Sequence, residues 1–555
     1  MLGMYGRDPR ALIIIVEKGT DPSRTVLKKI KFCNVMWSTL AAIFVPLLIV
    51  LFIITFAISS VDKIQIIYID RWKPAPFITS TKFLSISLDS SVIANGFKDF
   101  NMTDPKLIKM IGHLSPAFLR VGGTLGDKLC FAPDLIESDK NVENFYERLN
   151  EYEDLRFAPN FTMTGTQWLK LTNLAEKAKL DIFFGLNALR RFPNGTWDYR
   201  NAESLISFSS EHKLNVNWEL GNEPNIFYHK FNKEVSPTQM AKDFATLRSI
   251  LKKYQIHNQS LLVGPDTTRP IESNNKSTVY LRRFLKGAIH VVDAVTWHQY
   301  YMNGRTAKPE DFLNPGIFDY LKIQIQAVKN ITKDLHASSK PLWLGETSSA
   351  YGGGAPNLSD TFIGSFIWAD KLGLSAKMGL EVVVRQSIVK GHYALLDNNY
   401  NPNPDWWLSV LHKKFIGIRV VPYYTSCSPA VRLYCHCSKK NIFVGSPSIT
   451  VFGVNLDNST ANVRIEGLFP DKYEDRTDKI FLTSIYAFEL TSDSLFSKTV
   501  YLNGKPLKLS KDYDLPKLVP KIVNSRPYVT MPPLSIVFWI IPSSSVEACL
   551  ELNHL

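Results

Sequence analysis

Cysteine is scarce in this sequence, with six residues in a chain of 555. So low a content excludes a scaffold held together by a dense set of disulfides. Charged residues make up 21% and hydrophobic residues 45% of the chain, a balance that disfavours long disordered and coiled-coil proteins. A mean hydropathy of -0.06 excludes a protein with many membrane spans. What remains is a large globular protein, long enough for an α/β barrel and a further domain.

Acidic residues are outnumbered, 51 against 64 basic ones, which gives a net charge of +13. An excess of this size favours an anionic partner such as nucleic acid, anionic lipid or an acidic polysaccharide. No nucleic-acid-binding motif accompanies the charge, so we expect no nucleic-acid partner. The glycine run at 352–354 is too short for a phosphate-binding loop and lacks the Lys-Ser/Thr that would follow one.

One uncharged run, residues 32–61, is long enough to cross a bilayer as a helix. We predict a transmembrane anchor at 35–61 and a cytoplasmic tail at 1–34, because basic residues flank the run on its N-terminal side. A cleaved signal peptide is the alternative, but its apolar part is usually shorter. The expected topology is a single-pass type II membrane protein with an extracellular or lysosomal ectodomain, and a shed or secreted form stays open.

Potential N-glycosylation sites follow the predicted anchor, and none precedes it. This distribution agrees with an exported ectodomain. The eight sequons begin at Asn101, Asn160, Asn194, Asn258, Asn275, Asn330, Asn357 and Asn458.

Residues 81–403 alternate between short apolar runs and segments of helical length and periodicity. Continuous apolar runs are typical of strands buried on both faces, so eight such units predict a (β/α)8 barrel. After residue 403 strand-like runs recur without long helices, which predicts a β-sandwich at 404–555. A strand within 62–80 is expected to join that sandwich. The eight apolar runs are 83–89, 118–123, 181–187, 216–223, 261–266, 294–301, 341–347 and 381–387.

Two glutamates end apolar runs whose strands face each other across such a barrel: Glu223 ends the fourth run and Glu346 the seventh. Two facing carboxyl groups are the minimum that glycosidic cleavage requires. Asn222 offers an amide to a sugar hydroxyl, and a neighbouring carboxylate would favour the protonated form of Glu223. We therefore predict Glu223 as acid/base and Glu346 as nucleophile, a retaining pair with carboxyl groups about 5 to 5.5 Å apart.

Several longer motifs resemble those of the heparanase family of glycoside hydrolases, and the likeness covers nearly all of residues 80–550. This resemblance implies a (β/α)8 barrel with a β-sandwich, retaining endo-β-glucuronidase activity, heparan sulfate as substrate and no metal or organic cofactor. The motifs are RVGGT (120–124), WELGNEPN (218–225), TWHQYYMNGRTA (296–307), WLGETSSAYGGGAP (343–356) and DKLGLSAKMGLEVVVRQ (370–386).

The same resemblance assigns roles to single residues. It implies that Glu223 is the proton donor, that Glu346 is the nucleophile, and that Cys437 and Cys549 form a disulfide. Tyr300 and Arg269 are further candidate substrate contacts, and for Tyr300 a place at the edge of the core is the alternative. The positions that match sugar-contacting residues are Asp89, Thr124, Asn222, Arg305, Tyr351, Gly352, Gly353 and Tyr393.

The chain also departs from heparanases. Its 57 residues between Gly123 and Asp181 lack the long insert and the lysine-rich segment of those proteins, so we expect no processing into two chains. The compact insert and the PNPDWWL stretch (402–408) resemble the hyaluronan-cleaving members of leeches instead. Hyaluronan carries no sulfate, so a cleft that cuts it needs fewer cations. Three functions stay open: cleavage of heparan sulfate, which we favour, cleavage of hyaluronan, and binding of heparan sulfate without cleavage. Oligomeric state stays open as well.

Overall fold

The structure, a computed structural model, describes residues 64–135, 160–271, 275–440, 442, 447–468, 484–542 and 545–550. The predicted cytoplasmic tail and membrane anchor, at 1–34 and 35–61, lie outside these residues. Within the described ranges, no helix is both long enough and apolar enough to cross a membrane. The anchor therefore stays a prediction.

In the described part of the chain, eight parallel strands form an almost closed barrel, and they coincide with the eight apolar runs of the sequence. The ends of the sheet meet at a parallel bridge between Trp218 and Leu262, beside which the Trp218 backbone N–H donates to Leu261 O at 2.9 Å. A parallel barrel of the predicted type is thus confirmed. In chain order its strands are Leu84–Asp89, Ala117–Gly122, Leu180–Leu186, Val216–Leu220, Val263–Thr267, Ala294–Gln299, Leu342–Thr347 and Val382–Arg385.

Helices cover the outside of the barrel, and local sequence signals mark where they begin. Asp104 caps the helix at Pro105 by accepting hydrogen bonds from two backbone N–H groups, and proline suits the first helical position. Thr164 and Gln167 form a capping box at the next long helix. The α-helices are Ser91–Ala94, Pro105–Gly112, Gly165–Lys177, Arg200–Glu211, Phe227–Phe231, Pro237–Leu251, Lys276–Ala288, Pro315–Phe318, Tyr320–Asp334, Phe362–Lys377 and Pro404–Phe415.

The helix Pro404–Phe415 packs on the barrel, although the sequence pattern predicts its residues in the following domain. Trp406 Nε1 donates to Met110 O at 3.0 Å, and Asp405 lies 2.5 Å from Arg385 of the eighth strand. These contacts complete the eighth β-α unit. The strand Ile416–Val420 follows the helix directly, and the boundary at residues 403 and 404 stays a prediction.

The second domain contains a large, mainly antiparallel sheet. Its central strands Ile449–Asn455 and Ser535–Ile541 are buried at every residue, so both faces of the sheet are covered. Helix Phe362–Lys377 covers part of one face, where the absence of a side chain at Gly373 leaves room for the ring of Tyr434. In spatial order the strands are Ile416–Val420, Val431–Ser438, Ile449–Asn455, Ser535–Ile541, Ser484–Thr491, Tyr501–Leu502 and Lys505–Pro506, and Lys521–Asn524 also pairs with Ser484–Thr491.

A smaller sheet contains the first described strand of the chain. Gln65–Ile69 pairs in antiparallel fashion with Tyr423–Ser426 and in parallel with Ala461–Glu466, which in turn pairs with Val529–Met531. The chain thus places a strand in the second domain before it forms the barrel. Two short pairs of strands complete the described elements: Leu129–Ala132 with Phe161–Thr164, and Met302–Asn303 with Ala350–Tyr351.

A disulfide joins Cys437 of the large sheet to Cys549, near the end of the described chain. This is the pairing that the family resemblance implies. Of the described cysteines, Cys130, Cys427 and Cys435 are free thiols.

Candidate active site

A cleft of about 970 Å³ opens at the carboxyl-terminal ends of the barrel strands. Active sites of (β/α)8 barrels lie at this face, because the loops that follow the strands converge there. All the catalytic and substrate-contact residues that the sequence predicts line this same cleft. They are Asp89, Thr124, Asn222, Glu223, Arg269, Tyr300, Arg305, Glu346, Tyr351, Gly352, Gly353 and Tyr393.

Glu223 follows the fourth barrel strand in a left-handed backbone conformation, with φ at 54°. Such a conformation is uncommon for a residue other than glycine and is enriched at functional sites. The Glu223 backbone N–H donates to Asp266 O at 3.0 Å, and Pro224 starts a short 3₁₀ helix directly afterwards. These constraints direct the side chain into the cleft, where it is 17% exposed and Oε1 lies 3.3 Å from His298 Nδ1.

Glu346 ends the seventh strand and is more deeply buried than Glu223. Tyr300 donates its hydroxyl to Oε1 at 2.7 Å, and Arg120 donates Nη1 to Oε2 at 2.8 Å. Burial acts to raise the pKa of Glu346, but the charges of His298 and Arg120 and these two hydrogen bonds hold the pKa below its usual value. Glu346 is therefore an ionised carboxylate at neutral pH.

His298 lies between the two glutamates. Its Nδ1 is 3.3 Å from Glu223 Oε1 and 4.0 Å from Glu346 Oε1, and its Nε2 is 3.3 Å from Asp266 Oδ1. Burial acts to lower the pKa of His298, but the surrounding carboxylates raise it to about 10. The ring is thus a buried cation that both glutamates approach, and the two carboxyl groups are close to each other.

Arg120 lies on the floor of the cleft, and the sequence pattern does not predict a role for it. It lies 2.8 Å from Glu219 and donates Nη2 to Asn222 Oδ1 at 3.1 Å, in addition to its bond with Glu346. Gly122 makes room for this group, because a Cβ at that position would lie 2.7 Å from Glu219 Oε1. Burial and the nearby Asp266 carboxyl raise the pKa of Glu219, while the Arg120 guanidinium acts to lower it, and the net shift is upward.

The wall beside Glu346 is formed by a second group of hydrogen-bonded side chains. Gln386 Nε2 donates to Asp89 Oδ2 at 2.8 Å, and burial raises the pKa of Asp89. The ring of Tyr393 stacks near that of Tyr300, with centres 6.3 Å apart. Tyr301, next in sequence, is not among the cleft residues, and its ring lies under the ammonium group of Lys371.

The rim carries exposed residues that a polymer can reach. Tyr351 is 43% exposed, and Gly352 and Gly353 follow it with φ values of 79° and 90°. Open space surrounds the position of a Cβ at both glycines, so the left-handed backbone explains the residue type. In the described residues, no group of three or more His, Cys, Asp and Glu side chains is arranged to hold a metal ion.

An eight-stranded parallel barrel whose fourth and seventh strands bring two glutamates to the same open cleft defines a glycoside hydrolase. The N-terminal domain of glycosyl hydrolase family 79 matches residues 86–373 of this chain. The chain belongs to this family, and it is a glycosidase.

Curated relatives cover most of the sequence. Heparanase of Mus musculus is 35% identical over 508 residues, which span 85% of this chain and 92% of the relative. Hyaluronoglucuronidase of the leech Hirudo nipponia is 33% identical over 496 residues, 85% of this chain and 96% of the relative. Inactive heparanase-2 of Homo sapiens is 31% identical over 525 residues, 84% of this chain and 86% of the relative.

Solved structures share the fold at low sequence identity. A 4-O-α-L-rhamnosyl-β-D-glucuronidase from Fusarium oxysporum superposes with a TM-score of 0.60 at 15% identity, covering 85% of this chain and 99% of the other. A family 51 α-L-arabinofuranosidase from Bifidobacterium longum gives a TM-score of 0.57 at 12% identity, covering 86% and 99%. These likenesses show the fold alone.

Proposed function

We propose that this protein is a retaining endo-β-glucuronidase that cleaves glycosaminoglycan chains, heparan sulfate in the first place. The observation that carries the proposal is the approach of Glu223 and Glu346 to the same nitrogen of His298, at the mouth of an open cleft. Because both carboxyl groups contact one nitrogen atom, they can lie about 5 to 5.5 Å apart, the separation that a retaining pair requires.

The two glutamates have different surroundings, and these support different roles. Glu346 is ionised and held by Tyr300 and Arg120, as a nucleophile that attacks the anomeric carbon must be. Glu223 reaches further into the cleft and would donate its proton to the leaving oxygen. It would then remove a proton from the water that releases the sugar from Glu346. Net retention of configuration follows from these two displacements.

A long acidic polymer as substrate is supported by the relatives and by the shape of the site. Heparanases are similar along most of the chain, and the cleft is open and has Arg269 and Arg305 in its lining. Hyaluronan is the second candidate because the leech hyaluronoglucuronidase is nearly as similar to this chain. Arg305 and the backbone of Gly352 and Gly353 would bind the uronic acid.

An exported, glycosylated ectodomain behind one N-terminal anchor is the remaining part of the proposal. Seven of the sequon asparagines are exposed, and Asn275 is half-buried at the start of a helix. The type II topology, with the ectodomain outside the cell or in the lysosomal lumen, rests on the sequence alone.

The test uses purified full-length chain with heparan sulfate and with hyaluronan in separate incubations, followed by measurement of fragment size. We expect wild type to shorten heparan sulfate, and Glu346→Gln to lower the rate by about a thousandfold or more. Glu176→Gln, an exposed glutamate on a barrel helix, is the matched control and should leave the rate unchanged. Cutting of hyaluronan alone would support the second candidate, binding without cutting would leave a binding protein, and full activity of Glu346→Gln would remove this residue from its role.

A further inference from the structure

Lys371 is a lysine with no exposed surface, and no role has been given to it so far. It lies in helix Phe362–Lys377, which packs between the barrel and the large sheet of the second domain. Burying a lysine costs free energy, whereas an aliphatic side chain in the same place would pack without that cost. A buried lysine therefore indicates contacts that an aliphatic side chain could not make.

The side chain of Lys371 donates hydrogen bonds to the two residues that follow Glu346. Its Nζ donates to Thr347 Oγ1 and to Ser348 O, the latter at 2.6 Å. The same nitrogen lies 4.6 Å from the centre of the Tyr301 ring. All three partners are buried, so bulk water does not reach these contacts.

The side chain of Thr347 connects Lys371 to the strand that contains His298. Thr347 Oγ1 donates to Gln299 O and lies 2.9 Å from Gln299 Oε1. In the register of these two strands, Thr347 is the partner of Gln299. Glu346 is likewise the partner of His298, one position earlier. The ends of both strands are thus bonded, directly or through Thr347, to the same lysine.

The end of strand Leu342–Thr347 depends on such contacts, because its pairing with neighbouring strands is irregular. Its register shifts after Leu344 on both sides, against the sixth and against the eighth barrel strand. An irregularity of this kind redirects a side chain and interrupts the regular backbone hydrogen bonds. Here it precedes Glu346 directly, so side-chain contacts must contribute to the position of this residue.

Asp370, next to Lys371 in the helix, fixes the helix to the second domain. It accepts hydrogen bonds from Arg432 Nε and from the hydroxyl of Tyr434. Both donors belong to strand Val431–Ser438 of the large sheet. Because Asp370 and Lys371 are adjacent, one short piece of helix contacts both this sheet and the end of the strand that contains Glu346.

We propose that Lys371 is a positioning residue that holds the carboxylate of Glu346 where it can attack the anomeric carbon. The inference rests on the proposed function and extends it to a residue outside the cleft. Lys371 does not line the cleft and therefore acts through Thr347 and Ser348, which follow Glu346 in the chain. A displacement of about 1 Å in a reacting group can lower a rate about a hundredfold.

The test compares variants of the full-length chain with heparan sulfate as substrate. Lys371→Met removes every hydrogen-bond donor of the side chain, and Lys371→Gln has a similar length but keeps N–H donors. The matched control is Lys413→Met. Lys413 Nζ also donates to a backbone carbonyl, that of Pro116, but this residue precedes strand Ala117–Gly122 at the barrel face opposite the cleft.

We expect Lys371→Met to lower kcat about 10- to 100-fold and to leave KM within about twofold. Lys371→Gln should recover part of kcat, because its amide can donate where methionine cannot. Lys413→Met should leave both constants within about twofold. Thr347→Val, which removes the hydroxyl between Lys371 and Gln299, should lower kcat in the same way and carries the test if Lys371→Met does not fold.

Three results would overturn the proposal. The first is a wild-type kcat in Lys371→Met, or in Thr347→Val where Lys371→Met does not fold. The second is an equal fall in kcat for Lys413→Met, which would indicate a general loss of stability. The third is a kcat of Lys371→Gln no higher than that of Lys371→Met, which would show that hydrogen bonds do not position Glu346.

Hydrogen exchange keeps the inference testable if wild type does not cleave heparan sulfate or hyaluronan, a result that would refute the proposed function alone. The backbone amides of residues 346–349 should then exchange about five- to tenfold faster in Lys371→Met or Thr347→Val than in wild type. Those of strand Leu180–Leu186, on another side of the barrel, should keep their rates. Equal exchange at 346–349 in variant and wild type would overturn the positioning role.

Discussion

His298 holds the two glutamates in one electrostatic unit. The ring is positive because three carboxyl groups surround it, and its charge in turn helps to keep Glu346 ionised. Asp266 contacts the other nitrogen of the ring and so fixes the ring's orientation. A neutral side chain at 298 would remove both effects without replacing Glu223 or Glu346.

Replacing His298 by Gln should shift the acidic limb of the pH profile of kcat/KM. As the proposed nucleophile, Glu346 must be ionised to attack. Its pKa is lowered in wild type, so we expect activity to be lost only as the pH falls through that low value. Without the His298 charge the pKa of Glu346 rises, and we expect the limb to move up by about 1 to 2 pH units. The profile is measured from pH 3 to 8 with heparan sulfate. The control is His290→Gln, which replaces an exposed histidine. The prediction would be contradicted if the acidic limb of His298→Gln stayed where it is in wild type.

The sequence predicts Glu223 and Glu346 because each ends an apolar run, and a carboxylate at that position has few structural reasons to be there. It does not predict the role of Arg120 or Glu219, which lie within runs rather than at their ends. Their side chains point into the barrel and meet only because Gly122 leaves space. A charged residue inside an apolar strand is a sequence signal that the side chain has a buried partner. Which residue is that partner depends on the order of the strands around the barrel.

At the scale of elements, the apolar runs predict the barrel strands well because burial on both faces leaves a continuous pattern. The end of the barrel is harder to predict. Helix Pro404–Phe415 has a proline at its first position and two tryptophans in its first turn, and nothing in this stretch indicates which domain the rings contact. Trp406 reaches Met110 of a helix nearly three hundred positions earlier, and this contact is a property of the fold.

Two glycines in helices should respond in opposite ways to replacement by alanine. At Gly373 a Cβ would overlap the ring of Tyr434, so we expect Gly373→Ala to lower the free energy of unfolding by about 1 to 3 kcal/mol. At Gly112 a Cβ would find its nearest neighbour at 3.8 Å, so Gly112→Ala should raise the free energy of unfolding by about 0.5 to 1 kcal/mol through helix propensity. Denaturant unfolding measures the free energy of unfolding of both variants. If Gly373→Ala stabilised the protein, helix Phe362–Lys377 and strand Val431–Ser438 would have to pack less tightly than in the structure.

At the scale of the whole molecule, the disulfide between Cys437 and Cys549 closes a segment of 112 residues. Replacing both cysteines by alanine should lower the free energy of unfolding by about 2 to 5 kcal/mol, because the unfolded chain gains freedom. The cleavage rate at 25 °C should not change, since neither cysteine lines the cleft. Thermal unfolding with and without reductant checks this expectation: reductant should lower the Tm of wild type and leave that of the variant unchanged. An equal Tm for oxidised wild type and variant would rule out a stabilising role.

The strand Gln65–Ile69 is made long before the strands beside it. Its neighbours Tyr423–Ser426 and Ala461–Glu466 leave the ribosome about 350 and about 400 residues later, and at about 5 to 20 residues per second these delays are roughly 20 to 80 seconds. Until those strands are synthesised, the backbone N–H and C=O groups of Gln65–Ile69 have no neighbouring strand to pair with. A chaperone that shields this nascent segment would therefore set the yield of native enzyme.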